Sequence, residues 1–218
     1  HRKIFGFNGC VEPLTIATLS GLTPNAWKKK FFDDRIEKIE YDENSDLVAI
    51  TAETCTAKRA YEIADKFRLK GKKVIMGGFH ASTVPEEALK HVDSVLIGVA
   101  EGILPSILKD VKNNNLKRKY YNLDNLNIKV DKSIFEDKNY LPISLIETGR
   151  GCFFDCEFCS VALFYNRRYT RRPISEIIRE IKRSKHKTIM FVDDNISADF
   201  KSAKELFQLD HPEADNPD

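Results

Sequence analysis

The chain has no run of about eighteen apolar residues, the length a membrane-crossing helix needs. Its first residues show neither the apolar core nor the small-residue cleavage site of a secretion signal. An excess of one charge is missing too. Lys and Arg total 35 and Asp and Glu 33, a net charge of +2, so the global field recruits neither nucleic acid nor an acidic surface. Cysteine is scarce, with five in 218 residues, and three of those are crowded into one stretch, which excludes a disulfide framework. No internal repeat or low-complexity tract occurs. What remains is a protein of the reducing cytoplasm, long enough for two packed domains of roughly 100–150 residues each.

The crowded stretch is Gly149-Arg-Gly-Cys152-Phe-Phe-Asp-Cys156-Glu-Phe-Cys159, a C-x3-C-x2-C spacing. A four-iron, four-sulfur cluster is held by cysteine thiolates, normally four of them. Three thiolates in one short loop leave one iron without a protein ligand and open to a small molecule. The competing reading is zinc. Structural zinc takes four closed ligands, usually as cysteine pairs in two knuckles. No second knuckle exists, because Cys10 and Cys55 are isolated and distant in sequence. The cluster is the better match.

The flanks of the loop have strand and helix patterns. Leu141–Thr148 is apolar and β-branched, a short strand, and Ser160–Tyr169 leads away from the loop toward a helix. Pro173 opens a helix in which Ile174, Ile177, Ile178 and Ile181 repeat at helical spacing. Thr188–Val192 is a buried-type strand ending in Asp193-Asp194-Asn195, and helical pattern resumes through Ala203, Leu206 and Phe207. The order β-α-β-α starts a parallel barrel or wound sheet, with cysteines and acids at the carboxyl ends of strands, where chemistry sits in such folds. One of Asp193, Asp194 and Asn195 is expected to cap the next helix.

The first half alternates in the same way. Strands are expected at Asp46–Thr51, Lys73–Met76 and Asp93–Ile97. Helices are expected at Ala57–Leu69, from Pro85, and from Glu101 to about Lys112. This pattern gives an open parallel sheet wound on both faces, with the loops at 51–56, 77–83 and 98–102 on one edge, where a ligand crevice belongs. Residues 115–138 are polar and turn-rich, an interdomain linker with one short strand near Tyr120. Of the cluster Arg167, Arg168, Arg171 and Arg172, ion pairing and solvation are the main expectation, and contact with phosphate the other.

The cysteine loop, with Phe158 before its third cysteine, resembles the signature of the radical S-adenosylmethionine (SAM) enzymes. The resemblance implies a [4Fe-4S] cluster on Cys152, Cys156 and Cys159 whose open iron chelates SAM. It also implies an electron from a reductant such as flavodoxin or ferredoxin, and cleavage of SAM to a 5′-deoxyadenosyl radical. Phe158, Asp193, Asp194 and Asn195 are its candidate SAM contacts. Thr56–Asp65, the Gly77-Gly78-Phe79-His80-Ala81 turn, Pro85–Leu89 and Gly98-Val-Ala-Glu101 are similar to the cobalamin-binding domain that precedes many radical SAM domains. Together they identify the chain as a member of the cobalamin-dependent class, over about residues 12–208.

The implied fold is α/β: a flavodoxin/Rossmann-like doubly wound parallel sheet of the cobalamin-binding type over residues 1–114, a linker over 115–138, and the first β/α units of a radical SAM partial TIM barrel over 139–218. Candidate corrinoid contacts are Thr51, Glu53, Thr54, Gly77, Gly78, His80 and Gly98. No Asp-x-His-x-x-Gly run occurs, so the lower axial histidine of base-off methyl-transfer proteins has no counterpart, and His80 reads as a loop hydrogen-bonder. Val99 stands where the family usually carries an acid.

The family's barrel has more strand–helix units than this chain shows after residue 140, and its first strand has only Lys3–Phe7 to match it. The sequence therefore reads as truncated at both ends. The implied reaction is methyl transfer or rearrangement at an unactivated carbon of a small-molecule substrate. Two alternatives stand beside it: a cofactor-binding remnant without catalysis, and a radical SAM enzyme whose wound domain binds no corrinoid. Radical chemistry needs a water-excluded chamber, so the chain by itself is expected to turn over little. Anaerobic reconstitution should give about four irons per chain. Cys152→Ala, Cys156→Ala or Cys159→Ala should each lose most of that iron, and Cys10→Ala or Cys55→Ala should not. Full iron in Cys156→Ala would refute the ligand assignment.

Overall fold

A computed structural model describes residues 9–123 and 128–210, so the expected strand at Lys3–Phe7 and the prolines beyond residue 210 lie outside the described residues. The chain divides into two units, Thr15–Glu136 and His1–Leu14 with Asp137–Asp218.

The first unit is wound around four parallel strands, β1 (Val48–Thr51), β2 (Val74–Gly77), β3 (Ser94–Gly98) and β4 (Lys119–Asn122), side by side in chain order. Connecting helices are α2 (Ala57–Leu69), α3 (Phe79–Thr83), α4 (Pro85–Ala88) and α5 (Leu104–Lys112), and α1 (Leu14–Leu22) precedes them. Alternation along the strands splits the apolar residues between two faces. Val74, Met76 and Val95 pack with Ala60, Tyr61, Ala64 and Phe67 of α2 and with Ala81, Ala88 and Leu89. Ile75 and Leu96 point the other way, to Ile107 of α5 and Tyr120 of β4. Helices therefore cover both faces, and the two central strands β2 and β3 are short, almost continuously buried runs rather than alternating ones.

Most elements fall where periodicity puts them. The helix over Ala57–Leu69 agrees at both ends, and the strand near Tyr120 is β4. Two elements carry no such pattern. The five-residue α3 occupies what reads as a turn, and α1 buries only small residues, Ala17, Thr18, Ser20 and Gly21. The small face of α1 allows close packing against residues 129–131, where the Asp131 amide donates to the Ala17 carbonyl at 2.9 Å. The Asp131 carboxylate accepts from Lys29 Nζ and Ser20 Oγ, each at 2.8 Å. The Lys29 contact above all holds that carboxyl well below the usual range. Within the expected linker, β4 pairs with β3 and Asp131 packs on α1, so both of these described parts contact the wound unit.

The second unit begins with β5 (Ile143–Ile146), then β6 (Gly149–Gly151), α6 (Ser160–Phe164), β7 (Tyr169–Arg171), α7 (Ile174–Arg183), β8 (Thr188–Phe191) and α8 (Phe200–Asp210). Strands β5 and β8 pair in parallel around α7, the first strand–helix–strand unit of a barrel-type sheet. Ile146, Ile177 and Leu206 are wholly buried at its centre. An antiparallel hairpin of β6 and β7, invisible in the sequence pattern, frames the cysteine loop. Each strand is three residues long and too polar and glycine-rich to show a period.

The wound unit's loops at 51–56, 77–83 and 98–102 lie on one edge, at the carboxyl ends of parallel strands. Two glycines there serve the fold directly. Gly78 and Gly98 sit at φ 95° and 94°; a Cβ at Gly98 would lie 2.0 Å from the Asn122 carbonyl oxygen, and one at Gly78 would lie 2.8 Å from Thr51 Oγ1. At Gly77 the nearest atom is Leu96 Cβ at 3.7 Å, an ordinary contact. Gly98→Ala should therefore destabilise the protein by about 2 kcal/mol or more, from strain and backbone displacement. Gly77→Ala should stay near the wild-type melting temperature. Equal thermal melts for the two variants would contradict this.

Candidate functional site

The cysteine loop starts where β5 ends and is fastened from β8. Thr148 is wholly buried, and its carbonyl accepts from the Arg172 amide at 2.9 Å, extending the β6–β7 pairing. Asp193, just past β8, accepts from Thr148 Oγ1 and from the Gly149 amide, both at 2.6 Å, and from the Thr148 amide at 3.2 Å. Asp194 accepts from the Gly151 amide at 2.8 Å. Asn195 directs its side-chain Nδ2 at Cys152 Sγ, 3.6 Å away, while its Oδ1 accepts from the Ser197 amide and hydroxyl. Three consecutive residues thus hold Thr148–Gly149, Gly151 and Cys152 in order. Asn195 closes a turn with Ser197, whereas α8 is capped by Asp199, whose carboxylate accepts from the Ser202 amide at 3.1 Å, so the capping role expected of one of the three falls to a later residue. Gly151 has φ 85° and lies against the Arg168 carbonyl, so the close crossing of the hairpin requires it.

Beside this lock, Arg150 and Glu147 form a two-pronged ion pair, 2.9 Å and 2.7 Å, with both side chains largely enclosed. Buried Arg172 bonds the Glu147 carbonyl at 2.8 Å and Glu180 on α7 at 2.8 Å. Arg171 bonds Tyr169 Oη and the Ser202 carbonyl, and Arg167 pairs with Asp155 at 2.7 Å. These three arginines are accordingly engaged within their own unit. Nothing in the local sequence flags the Thr148–Asp193 contact, which joins residues 45 apart.

Beyond Cys152 the loop is open. Cys152 is buried, Cys159 partly buried and Cys156 exposed, and all three are free thiols. The Cys159 amide donates to the Cys156 carbonyl at 3.0 Å, which closes a turn between the second and third cysteines. Phe158, in that turn, is 93 % exposed, and Phe153 and Phe154 are about half exposed, packed on one another at 4.7 Å. Among the described residues no three His, Cys, Asp or Glu side chains converge closely enough to grip a metal ion, so the thiols as they stand do not share a point. The donor set fits an iron–sulfur cluster all the same: three unpaired thiols within eight residues, the first fixed by its neighbours and the others on a segment free of strand or helix.

In the wound unit the candidate residues separate by exposure. Thr51, Glu53 and Thr54 lie open to solvent, Gly77 and Gly78 are partly covered, and His80 and Gly98 are buried. His80 is engaged on both ring nitrogens. Nε2 lies 2.8 Å from Tyr61 Oη on α2, and Nδ1 lies 3.3 Å from Thr54 Oγ1. Tyr61 donates to Glu87 and stacks on His91, which contacts Asp65 at 2.9 Å. Burial, helped by Glu87, pushes the Tyr61 phenol up to about 12, so it remains a hydroxyl throughout the neutral range. His80 is thus the loop hydrogen-bonder its context suggests, tying α2 to the 51–56 loop. A surface groove of about 740 Å³ lies at the opposite, amino-terminal edge, by Arg68, Lys73, Asp93 and Asn114. Its charged groups are already occupied: Arg68 pairs with Asp93 and Lys73 with Asn114.

No family model matches the chain. Curated relatives do. It is 33% identical over 186 residues, 79% of this chain and 41% of the relative, to the bacteriochlorophyllide d C-8(2)-methyltransferase of Chlorobaculum tepidum. It is 28% identical over 212 residues, 90% of this chain and 46% of the relative, to the bacteriochlorophyllide d C-12(1)-methyltransferase of the same organism. The chain spans less than half the length of these two relatives. Among solved structures it matches the radical S-adenosylmethionine methyltransferase TsrM of Kitasatospora setae, described with tryptophan substrate and a SAM analogue bound, at a TM-score of 0.59 and 15% identity over 79% of this chain and 42% of that one. That structure shares the fold: a wound α/β unit and the start of a radical SAM barrel. The chain is thus similar in sequence to named methyltransferases and in fold to a radical S-adenosylmethionine methyltransferase.

The lock predicts its own failure. Asp193→Ala would leave the Thr148 amide, the Thr148 hydroxyl and the Gly149 amide without their acceptor in a buried place, at a cost of about 3 kcal/mol or more. Asp193→Asn keeps one acceptor oxygen and should lose less. Denaturant unfolding followed by fluorescence measures both, and a neutral Asp193→Ala would show that the contact contributes nothing.

Proposed function

We propose that this chain carries the cofactor-binding parts of a radical SAM methyltransferase that uses cobalamin. The observation that supports it most is the placement of three free thiols on one loop, its first cysteine locked between the carboxyl ends of β5 and β8. Cys152, Cys156 and Cys159 would hold a [4Fe-4S] cluster, and SAM would lie against Phe158 and the 193–195 run. When bound, these groups supply a 5′-deoxyadenosyl radical, and a corrinoid supplies a methyl carrier.

The residues of the chain have separate tasks. Asp193 and Asp194 spend their carboxylate oxygens on the amides of the hairpin, so their part is to set the position of Cys152. Exposed Phe158 offers a flat apolar face beside the third cysteine, suited to a purine or to methionine's methylene groups. In the wound unit Thr51, Glu53 and Thr54 present polar groups at the open edge, where a corrinoid would rest. His80, Gly78 and Gly98 shape that edge from beneath. Because Tyr61 and Thr54 occupy both ring nitrogens, we assign His80 to holding the 51–56 loop and not to cobalt.

TsrM has also been solved with cobalamin and a [4Fe-4S] cluster bound, and the two Chlorobaculum relatives are named as methyltransferases. Both support methyl transfer to a small molecule over other radical outcomes. Exposed thiols and an oxygen-labile cluster suit a reducing cytoplasm, with a flavodoxin or ferredoxin as electron donor. No helix among the described residues is long and apolar enough to cross a membrane.

Anaerobic reconstitution with iron and sulfide, followed by hydroxocobalamin and gel filtration, tests the reading. Retained iron with cluster absorbance, and co-eluting corrinoid absorbance, are the expected results. Reductive SAM cleavage to 5′-deoxyadenosine is then assayed in the longest reading frame that contains the chain. Iron without corrinoid would favour a wound unit that serves as scaffold. Loss of both would leave a remnant without cofactors.

A further inference from the structure

On the reading that Cys152 ligates a cluster, we infer that Asn195 is a positioning residue for that cluster: its side-chain amide donates to the Cys152 sulfur and raises the cluster's reduction potential. Cys152 Sγ here stands in for the thiolate that would bind iron.

The geometry fixes which end of the amide faces the sulfur. Oδ1 of Asn195 accepts from the Ser197 amide at 3.1 Å and from Ser197 Oγ at 2.9 Å. With the oxygen occupied by two donors, the NH2 end is left to point at Cys152, 3.6 Å away, within reach of a hydrogen bond to sulfur. The sulfur itself is buried, so water does not compete strongly for the same lone pairs. Its backbone is also fixed, because Asp194 holds the preceding amide of Gly151. Donor and acceptor are therefore both held before any ligand arrives.

A hydrogen bond to a ligating sulfur favours the cluster state with more negative charge, which is the reduced one. Removing it makes reduction harder. Asn195 would in this way help a modest biological reductant to load the cluster, a task distinct from touching SAM. Neither neighbour in the run can do the same. Asp193 and Asp194 present carboxylates, which accept and do not donate, and those carboxylates are bonded to amides.

The test is an EPR-monitored redox titration of the anaerobically reconstituted chain. Asn195→Ser keeps a short neutral acceptor for the turn and removes the donor that reaches sulfur. Its midpoint potential should move to a more negative value, with iron content and melting temperature close to wild type. Asn195→Asp keeps the acceptor for Ser197 and sets a carboxylate against the sulfur, so it should shift further the same way, and it decides the matter if Asn195→Ser loads poorly. Ser197→Ala weakens the turn and leaves the amide–sulfur contact, so its potential should stay at the wild-type value. An unshifted midpoint in loaded Asn195 variants would overturn the assignment, as would an equal shift in Ser197→Ala, which would trace the effect to loop geometry. A wild type that takes up no iron is a different failure and removes the cluster reading as well.

Discussion

A single carboxylate anchors the second unit. Asp193 receives three donors from Thr148 and Gly149, two of them at 2.6 Å, in a place where Thr148 has no exposure to solvent. Hydrogen bonds to an ionised acceptor are about twice as strong as neutral ones, and a donor deprived of its partner in such a place would bear the full desolvation penalty. The hairpin of β6 and β7 has only three residues in each strand and buries little of its own, so it has no independent means of staying where it is. Its position is borrowed from β8 through Asp193, and the orientation of the cysteine loop follows from it.

Around that anchor the polar groups sort into layers. Glu147 and Arg150 close one side with a two-pronged ion pair, and Arg172 reaches from the end of β7 to the Glu147 carbonyl and to Glu180 on α7. A buried ion pair of this kind contributes little net stability over apolar packing, but it penalises any arrangement that separates the partners. It suits a loop whose thiols must be held in one place. The wound unit handles its edge in a parallel way, with Tyr61, His80 and Thr54 joining helix α2 to the loop after β1.

The sequence made the long elements legible because their apolar residues repeat. Helix α2 and strand β8 could be read from period alone, and the wound sheet followed from their alternation with other strands. The cysteine spacing by itself points to cluster chemistry, because the residue type limits the ligand chemistry so tightly. What could not be read was short or non-local. Helix α3 is five residues, the β6–β7 hairpin is built on glycine and arginine, and Thr148 meets Asp193 across 45 positions. The roles of the acids were obscure for the same reason. A carboxylate after a strand can cap a helix, grip a ligand or bind backbone, and only the partners distinguish these. Gly78 and Gly98 show the same limit: as candidate corrinoid contacts their type does not say what approaches them, and the groups that crowd them belong to the chain itself.

The run Asp193-Asp194-Asn195 reads the chain from Thr148 to Cys152 as a ruler reads a length. Each residue of the run meets a fixed mark on the other strand, so neither stretch can gain or lose a residue without carrying the first thiol off its mark. From Phe153 onward no element fixes the loop until α6 begins at Ser160. A residue added within 148–152 or 193–195 would therefore displace the first thiol, whereas the segment after Phe153 could shift and leave that thiol at its origin.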